Sequence, residues 1–320
     1  MDNNGWYDVF TEILYKKFPK RTQLTKALMA LIEVEREAVY RRLRKEVPFS
    51  AHEIIKIASA WNISLDEITH INSEQFSFQL RTFNYLNPPE EDAIYLRKII
   101  EATRQADKYP DAEYMCISNK LSRHLYSGFT YLNKFHLLKA VYQYHSEKEI
   151  LSFSQLTISK EKQQITDGYY KAVKHIPNVG FVWDSRIFEY LVNDVKYFHS
   201  IYMITDEEKE LIKEDLHRFL DYMHEVANTG CYPETQNNVT LYISQLNINT
   251  NYSYMYMPKS STCYIHVFDK YHMSTFNTEM VENFITWMQL RKRTSIQISV
   301  VDERSRIEFF TQQRKIVDTL

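Results

Sequence analysis

Basic side chains crowd one short stretch of this sequence. Between residues 17 and 45 lie Lys17, Lys20, Arg21, Lys26, Arg36, Arg41, Arg42, Arg44 and Lys45, nine cations against Glu33, Glu35 and Glu37, while the whole chain has a formal net charge of -2. A guanidinium can pair bidentately with guanine O6 and N7, discriminating by about 1–3 kcal/mol, and an ammonium serves a phosphate as a point charge. The chemistry on offer is nucleic-acid recognition. The plainer alternative is a solvated amphipathic helix whose arginines face water.

Other constellations are weaker. His217, Asp221 and His224 fall on one helical face, a spacing a transition metal could use, but Leu216, Phe219, Leu220 and Met223 form an apolar stripe opposite, so a polar helix face accounts for them. Tyr252, Tyr254, Tyr256 and Tyr264 could line a ligand pocket or be ordinary strand residues. Cys116, Cys231 and Cys263 form no Cys-x-x-Cys pair and have no histidine partner motif, which reads as reduced, inert thiols. The chain has only 5 glycines, Gly5, Gly128, Gly168, Gly180 and Gly230, where average usage of about 7% would give roughly 22. A dinucleotide fingerprint, a phosphate-cradling loop and a serine nucleophile elbow each need closely spaced glycines. None is present. The sequence therefore assigns no catalytic residue, no metal ligand and no cofactor, and points away from an enzyme.

The basic cluster needs helices to present it. Trp6, Val9, Phe10, Ile13, Leu14 and Phe18 are spaced for one helical face, ended by Pro19. A second helix is expected after Thr22 as N-cap, through Leu24, Ala27, Leu28, Leu31 and Ile32, and a third over 35–44, with Val39 and Leu43 inward. Ser50-Ala51-His52-Glu53 and Ser64-Leu65-Asp66-Glu67 both read as capping boxes, each with a hydrophobic staple, Phe49 on Ile54 and Ile63 on Ile68. Five short helices result. Beyond them, alternation at Phe76, Phe78 and Leu80 suggests a strand or extended connection that Pro88-Pro89 stops. Helical periodicity covers about 90–106, 119–145, 159–175, 185–202 and 206–228, strands are expected at 239–246, 252–257 and 263–268, and helices near 278–292 and 303–318 flank a short strand at 295–301. Phe309-Phe310 mark the last helix as one that docks on the core.

Leu28, Ile32, Val34, Val39 and Leu43 are apolar where two helices must pack across a tight turn. The run from about Thr22 to Ile68, including Val39-Tyr40-Arg41-Arg42-Leu43 and Phe49-Ser50-x-x-Glu53-Ile54-x-x-Ile57-Ala58, resembles the lambda-repressor-like helix-turn-helix domain of the Cro and repressor class. The arrangement of the whole chain is similar to regulators of Bacteroides-type bacteria that join such a domain to a long C-terminal region. The resemblance implies a recognition helix whose first residues and outer face enter the major groove of double-stranded DNA, here Glu35, Arg36, Glu37, Tyr40, Arg41 and Arg44. Arg36 and Arg41 are the candidates for bases, and Arg42, Arg44, Lys45, Lys20 and Lys26 for phosphates. The family usually has glycine in the turn where this sequence has Glu33.

The expected organisation is an all-α five-helix domain over 1–72, a linker or connecting strand over 73–89, and a larger α+β region over 90–320 for dimerisation or for sensing a small-molecule or protein effector. The expected function is sequence-specific regulation of transcription as a homodimer. A protein-interaction adaptor, or a ligand-binding or enzymatic C-terminal region, is the alternative. The N-terminus lacks the basic start and apolar run of a signal peptide, and nowhere do eighteen apolar residues run together. The expected location is cytoplasmic, with no membrane partner.

Overall fold

The computed structural model of the protein describes residues 5–61, 63, 65, 68, 76–81, 90–144, 152–258, 260–267 and 271–320. The chain divides into two compact units, Met1–Phe78 and Gln79–Leu320.

In the first unit, helices α1 (Gly5–Lys17), α2 (Arg21–Ile32), α3 (Arg36–Leu43) and α4 (Ala51–Trp61) are described. Each turns a narrow apolar stripe inward: Tyr7, Phe10 and Leu14; Leu24, Leu28 and Ile32; Val39 and Leu43; Ile57 and Ala58. Spacings of three or four residues, which in α4 link Ile54, Ile57 or Ala58, and Trp61, are those of one helical face. Phe49, between α3 and α4, closes this core by stacking on Tyr7 at 6.0 Å and meeting Phe10 edge-on at 5.7 Å. Helix α2 starts at Arg21 with Lys20 as its N-cap, so Thr22 lies inside the first turn rather than capping it. The first capping box forms as expected. Ser50 N–H donates to Glu53 Oε2 at 2.7 Å and Glu53 N–H to Ser50 Oγ at 3.3 Å. Its staple residues Phe49 and Ile54 join one cluster with buried Ile63 and Ile68. The second box and the fifth helix fall on residues that, apart from Ile63, Leu65 and Ile68, lie outside the described ones.

The second unit is built on an eight-stranded sheet in the order β1-β7-β6-β5-β2-β3-β4-β8. Its strands are β1 (Gln79–Arg81), β2 (Glu113–Ser118), β3 (Asn178–Asp184), β4 (Asn238–Ser244), β5 (Tyr252–Tyr256), β6 (Thr262–Val267), β7 (Tyr271–Thr275) and β8 (Ser295–Gln297). The helices are α5 (Glu90–Arg104), α6 (Arg123–Tyr126), α7 (Thr130–Tyr144), α8 (Lys160–Lys174), α9 (Ile187–Ser200), α10 (Asp206–Thr229), α11 (Thr278–Arg291) and α12 (Glu303–Asp318). Strands β2, β3 and β4 run parallel, joined by helical crossovers, while the remaining pairs are antiparallel. The larger region of mixed helix and strand expected from the sequence is present, built on a sheet that combines parallel and antiparallel pairs. Strands β2 and β3 were not expected at all, because parallel strands buried on both faces show no polar alternation. Within 73–89, expected as a linker or connecting strand, Gln79–Arg81 forms β1, an edge strand of this sheet paired with β7.

One face of the parallel strands, with Cys116, Phe181, Trp183, Leu241 and Ile243, shares a core with Phe188 and Val195 of α9, Leu216, Phe219 and Met223 of α10, and Phe309 and Phe310 of α12. The terminal helix docks on the core as its Phe-Phe pair suggests. Helix α10 starts in a full capping box, Thr205 with Glu208, and ends on Gly230 at φ 72, a left-handed residue whose added Cβ would lie 2.5 Å from Val300 Cγ2. No helix among the described residues is long and apolar enough to cross a membrane.

Candidate nucleic-acid interface

Helices α2 and α3 are joined by residues 33–35. The reversal is made by Glu33, which sits left-handed at φ 57 and ψ 45 with its N–H donating to Met29 O at 3.0 Å. The turn therefore keeps the geometry that glycine usually supplies and carries the strain of a side chain there. Lys56 approaches Glu33 at 3.6 Å, an exposed pair of little energetic weight. Left-handed placement costs a non-glycine residue about 1–2 kcal/mol, partly offset by the greater unfolded freedom glycine would bring, about 0.5–1 kcal/mol. Glu33→Gly is accordingly expected to stabilise the first unit by about 0.5–1 kcal/mol. Amide hydrogen exchange in α2 and α3 should slow by about 2- to 5-fold, and unchanged or faster exchange would refute the strain.

Helix α3 has two faces. Val39 is fully buried and Leu43 is buried, whereas Glu35, Arg36, Glu37, Arg41, Arg44 and Lys45 are exposed and Tyr40 is half-exposed. Glu35 is the N-cap and makes no side-chain capping bond. Arg36 folds along the helix, donating from Nε and Nη2 to Tyr40 Oη at 3.1 and 2.9 Å. That hydrogen bond holds the Tyr40 phenol below its ordinary pKa. Arg36 and Arg21 also lie over the Tyr40 ring, at 5.3 and 5.7 Å from its centroid. Lys20 and Lys26 are exposed on α2, Lys20 at its N-cap. The place of Arg21 over Tyr40 follows from packing of α2 on α3, which spacing in the sequence alone does not give.

Arg42 requires a correction. Expected to face phosphate, it instead turns inward with its side chain 17% exposed. Its Nε and Nη2 donate to Glu53 Oε2 and Oε1 at 3.1 and 2.8 Å, and its Nη1 donates to Ala38 O at 3.1 Å. Its own carbonyl accepts from Tyr7 Oη at 3.0 Å, and the same phenol accepts from Phe49 N–H at 3.1 Å. One network thus ties α1, α3, the loop at Phe49 and the start of α4. Glu53 is both the capping-box glutamate and the Arg42 partner. Burial by itself raises its carboxyl, but the bonds from Arg42 and Ser50 outweigh that and hold its pKa below the ordinary value.

The end of α3 is a Schellman closure. Lys45 N–H donates to Arg42 O and Glu46 N–H to Arg41 O, both at 2.9 Å, with Lys45 left-handed at φ 63 where glycine is usual. This brings Glu46 back over the helix, where it meets Arg44 at 2.9 Å and Arg41 at 3.7 Å. Arg44 also meets Glu37 at 2.9 Å, and Lys45 pairs with Asp8 of α1.

The weaker constellations resolve into packing. His217 meets Asp318 at 3.1 Å, Asp221 meets Arg314 at 2.7 Å, and His224 stacks on Phe310 at 4.7 Å, so the three polar residues of α10 receive α12. Tyr254 is fully buried, donating to Glu113 Oε2 at 2.7 Å and accepting from Gln289 Nε2 at 2.6 Å, and Tyr252 packs on Phe284 and Trp287. Tyr256 is exposed, and Tyr264 meets His272 edge-on at 5.5 Å. Cys116 and Cys263 are buried, Cys231 is half-buried, and burial pushes the Cys263 thiol up to about 11. No family model, curated protein or solved structure matches this chain.

Proposed function

We propose that the chain is a sequence-specific DNA-binding regulator of transcription, with α2 and α3 as a helix-turn-helix and α3 as the helix that enters the major groove. The observation that carries the reading is the division of α3 into a buried Val39–Leu43 side and an exposed side bearing Arg36, Glu37, Tyr40, Arg41 and Arg44, set by a tight turn at Glu33. A helix of this kind reads bases with its first turns and outer face, and the preceding helix contacts the backbone. Arg36 and Arg41 are assigned to base edges, with Tyr40 holding the Arg36 guanidinium extended along the helix. Arg44, Lys45, Lys20 and Lys26 are assigned to phosphates, joined by Arg21. Arg42 acts from within, fixing α3 against α4. Two copies on half-sites about one helical turn apart would give useful affinity, and the second unit is assigned to dimerisation and to sensing an effector.

A mobility-shift titration of the full-length protein against genomic fragments tests this reading. Binding that weakens steeply as salt rises from about 50 to 200 mM is expected, since each neutralised phosphate releases condensed counterions with a slope near -0.9 per contact. An affinity indifferent to salt would sink it.

A further inference from the structure

The exposed arginines of α3 are already engaged. Arg44 lies between two carboxylates, Glu37 at 2.9 Å from Nη2 and Glu46 at 2.9 Å from Nε, and the other oxygen of Glu46 is 3.7 Å from Arg41 Nε. Glu46 does not reach these partners from a free loop. The Schellman closure fixes its backbone through the bond from its N–H to Arg41 O at 2.9 Å, with Lys45 accepting the left-handed φ of 63 that the closure demands. A carboxylate is thereby mounted by the main chain at the C-terminal end of the face on which α3 would meet DNA.

We propose that Glu46 is a specificity-determining residue for the DNA-binding activity inferred above, and the proposal rests on that reading. Its charge does two things on this surface. It competes with phosphate for Arg41 and Arg44, and it repels the backbone of any duplex that approaches. Both effects penalise binding that depends on phosphate alone. A sequence that offers bidentate acceptors can outcompete the exposed pairs, because ion pairs with about half of each side chain in water exchange readily. Glu46 therefore lowers affinity for all DNA, and lowers it most for DNA without the right bases. Glu37 shares the hold on Arg44 but sits in the first turn of α3, where it can itself accept from a base amine such as cytosine N4. Glu46, beyond the helix, has the repulsive role alone.

The test compares the full-length protein with Glu46→Gln, using Glu210→Gln, at an exposed residue of α10 in the second unit, as a control with the same change in net charge. Each protein is titrated by fluorescence anisotropy against a random-sequence duplex over a salt series, and against the sequences that the wild type enriches from a randomised duplex library. Glu46→Gln is expected to bind the random duplex roughly 3- to 10-fold more tightly, with a salt slope steeper by about one counterion, and to gain less on the enriched sequences. Its own enriched sequences should be more degenerate. Glu210→Gln should match the wild type. If the wild type binds duplex and enriches a motif but Glu46→Gln binds like it, or gains equally on both DNAs, the proposal fails while the DNA-binding reading stands. If neither protein binds duplex at low salt, both fail.

Discussion

Replacing Arg36, Arg41 and Arg44 together by alanine is expected to abolish sequence-specific DNA binding while leaving the fold in place. Each guanidinium assigned to a base edge contributes about 1–3 kcal/mol of discrimination, so Arg41→Ala alone should weaken the preferred site by about 5- to 150-fold and relax the choice of base at one position. Arg44→Ala should weaken all sequences alike and flatten the salt slope by about one. All three residues are exposed, and their partners Tyr40, Glu37 and Glu46 are held mainly by exposed contacts worth about 0–1 kcal/mol each, so stability should change little. The measurements are anisotropy titration for binding and circular dichroism for folding. Retained specific binding by the triple variant, with its circular dichroism unchanged, would remove α3 from the interface.

The largest effect on stability is expected at Glu53. Its side chain is 11% exposed, caps α4 and forms the two-pronged pair with Arg42, whose side chain is 17% exposed. Glu53→Ala removes a cap, about 1 kcal/mol, and strands a half-buried guanidinium, so the first unit should lose about 3 kcal/mol in all. Because Arg42 also anchors α3, DNA binding should fall with it. The double variant Arg42→Met with Glu53→Leu leaves no stranded charge and should recover most of the stability, as hydrophobic replacements of such pairs commonly do. Similar losses in the single and double variants would show that the charge pair is not what holds α3 to α4. The depressed pKa of Glu53 adds a pH signature. Its contribution is fully present above the unfolded glutamate pKa of about 4.3 and is lost as pH falls through the lower folded value. Acid unfolding monitored at amides of α3 and α4 should begin below about pH 4, and the Arg42→Met, Glu53→Leu variant should lack that component.

Helices α1 to α4 are readable in the sequence because their signals are local. Apolar residues recur every three or four positions, Pro19 ends α1, and the Ser50–Glu53 box marks α4. Arg42 was misread because charge was weighed without position: it lies three residues after Val39 and one before Leu43, on the flank of the buried stripe, with a glutamate at the start of the next helix within reach. Strands β2 and β3 escaped for the opposite reason. Residues 114–118 and 179–184 are buried without a break, so the period of two that betrays a half-solvated strand is missing. Among the strands that the sequence does show, β4 to β6 carry dense tyrosine and β-branched residues. The Glu46 hold on Arg41 and Arg44 depends on the chain reversing at Lys45, a conformation that a lysine does not advertise.

The order of strands in the sheet also sets a timetable. Strand β2 is hydrogen-bonded on one side to β3 and on the other to β5, so Glu113 waits for both Asn178 and Tyr256 before it is paired. Long-range pairings of this kind form slowly, whereas helices that pack on near neighbours in sequence form fast. As the polypeptide leaves the ribosome, the helices of the first unit can associate long before the sheet has its middle. A nascent chain that stops short of Tyr252 leaves one edge of β2 open, a row of unpaired amides and carbonyls flanked by Met115, Cys116 and Ile117. Such intermediates are the ones a chaperone would be expected to hold. Premature termination there should yield aggregates in which the N-terminal helices are still formed.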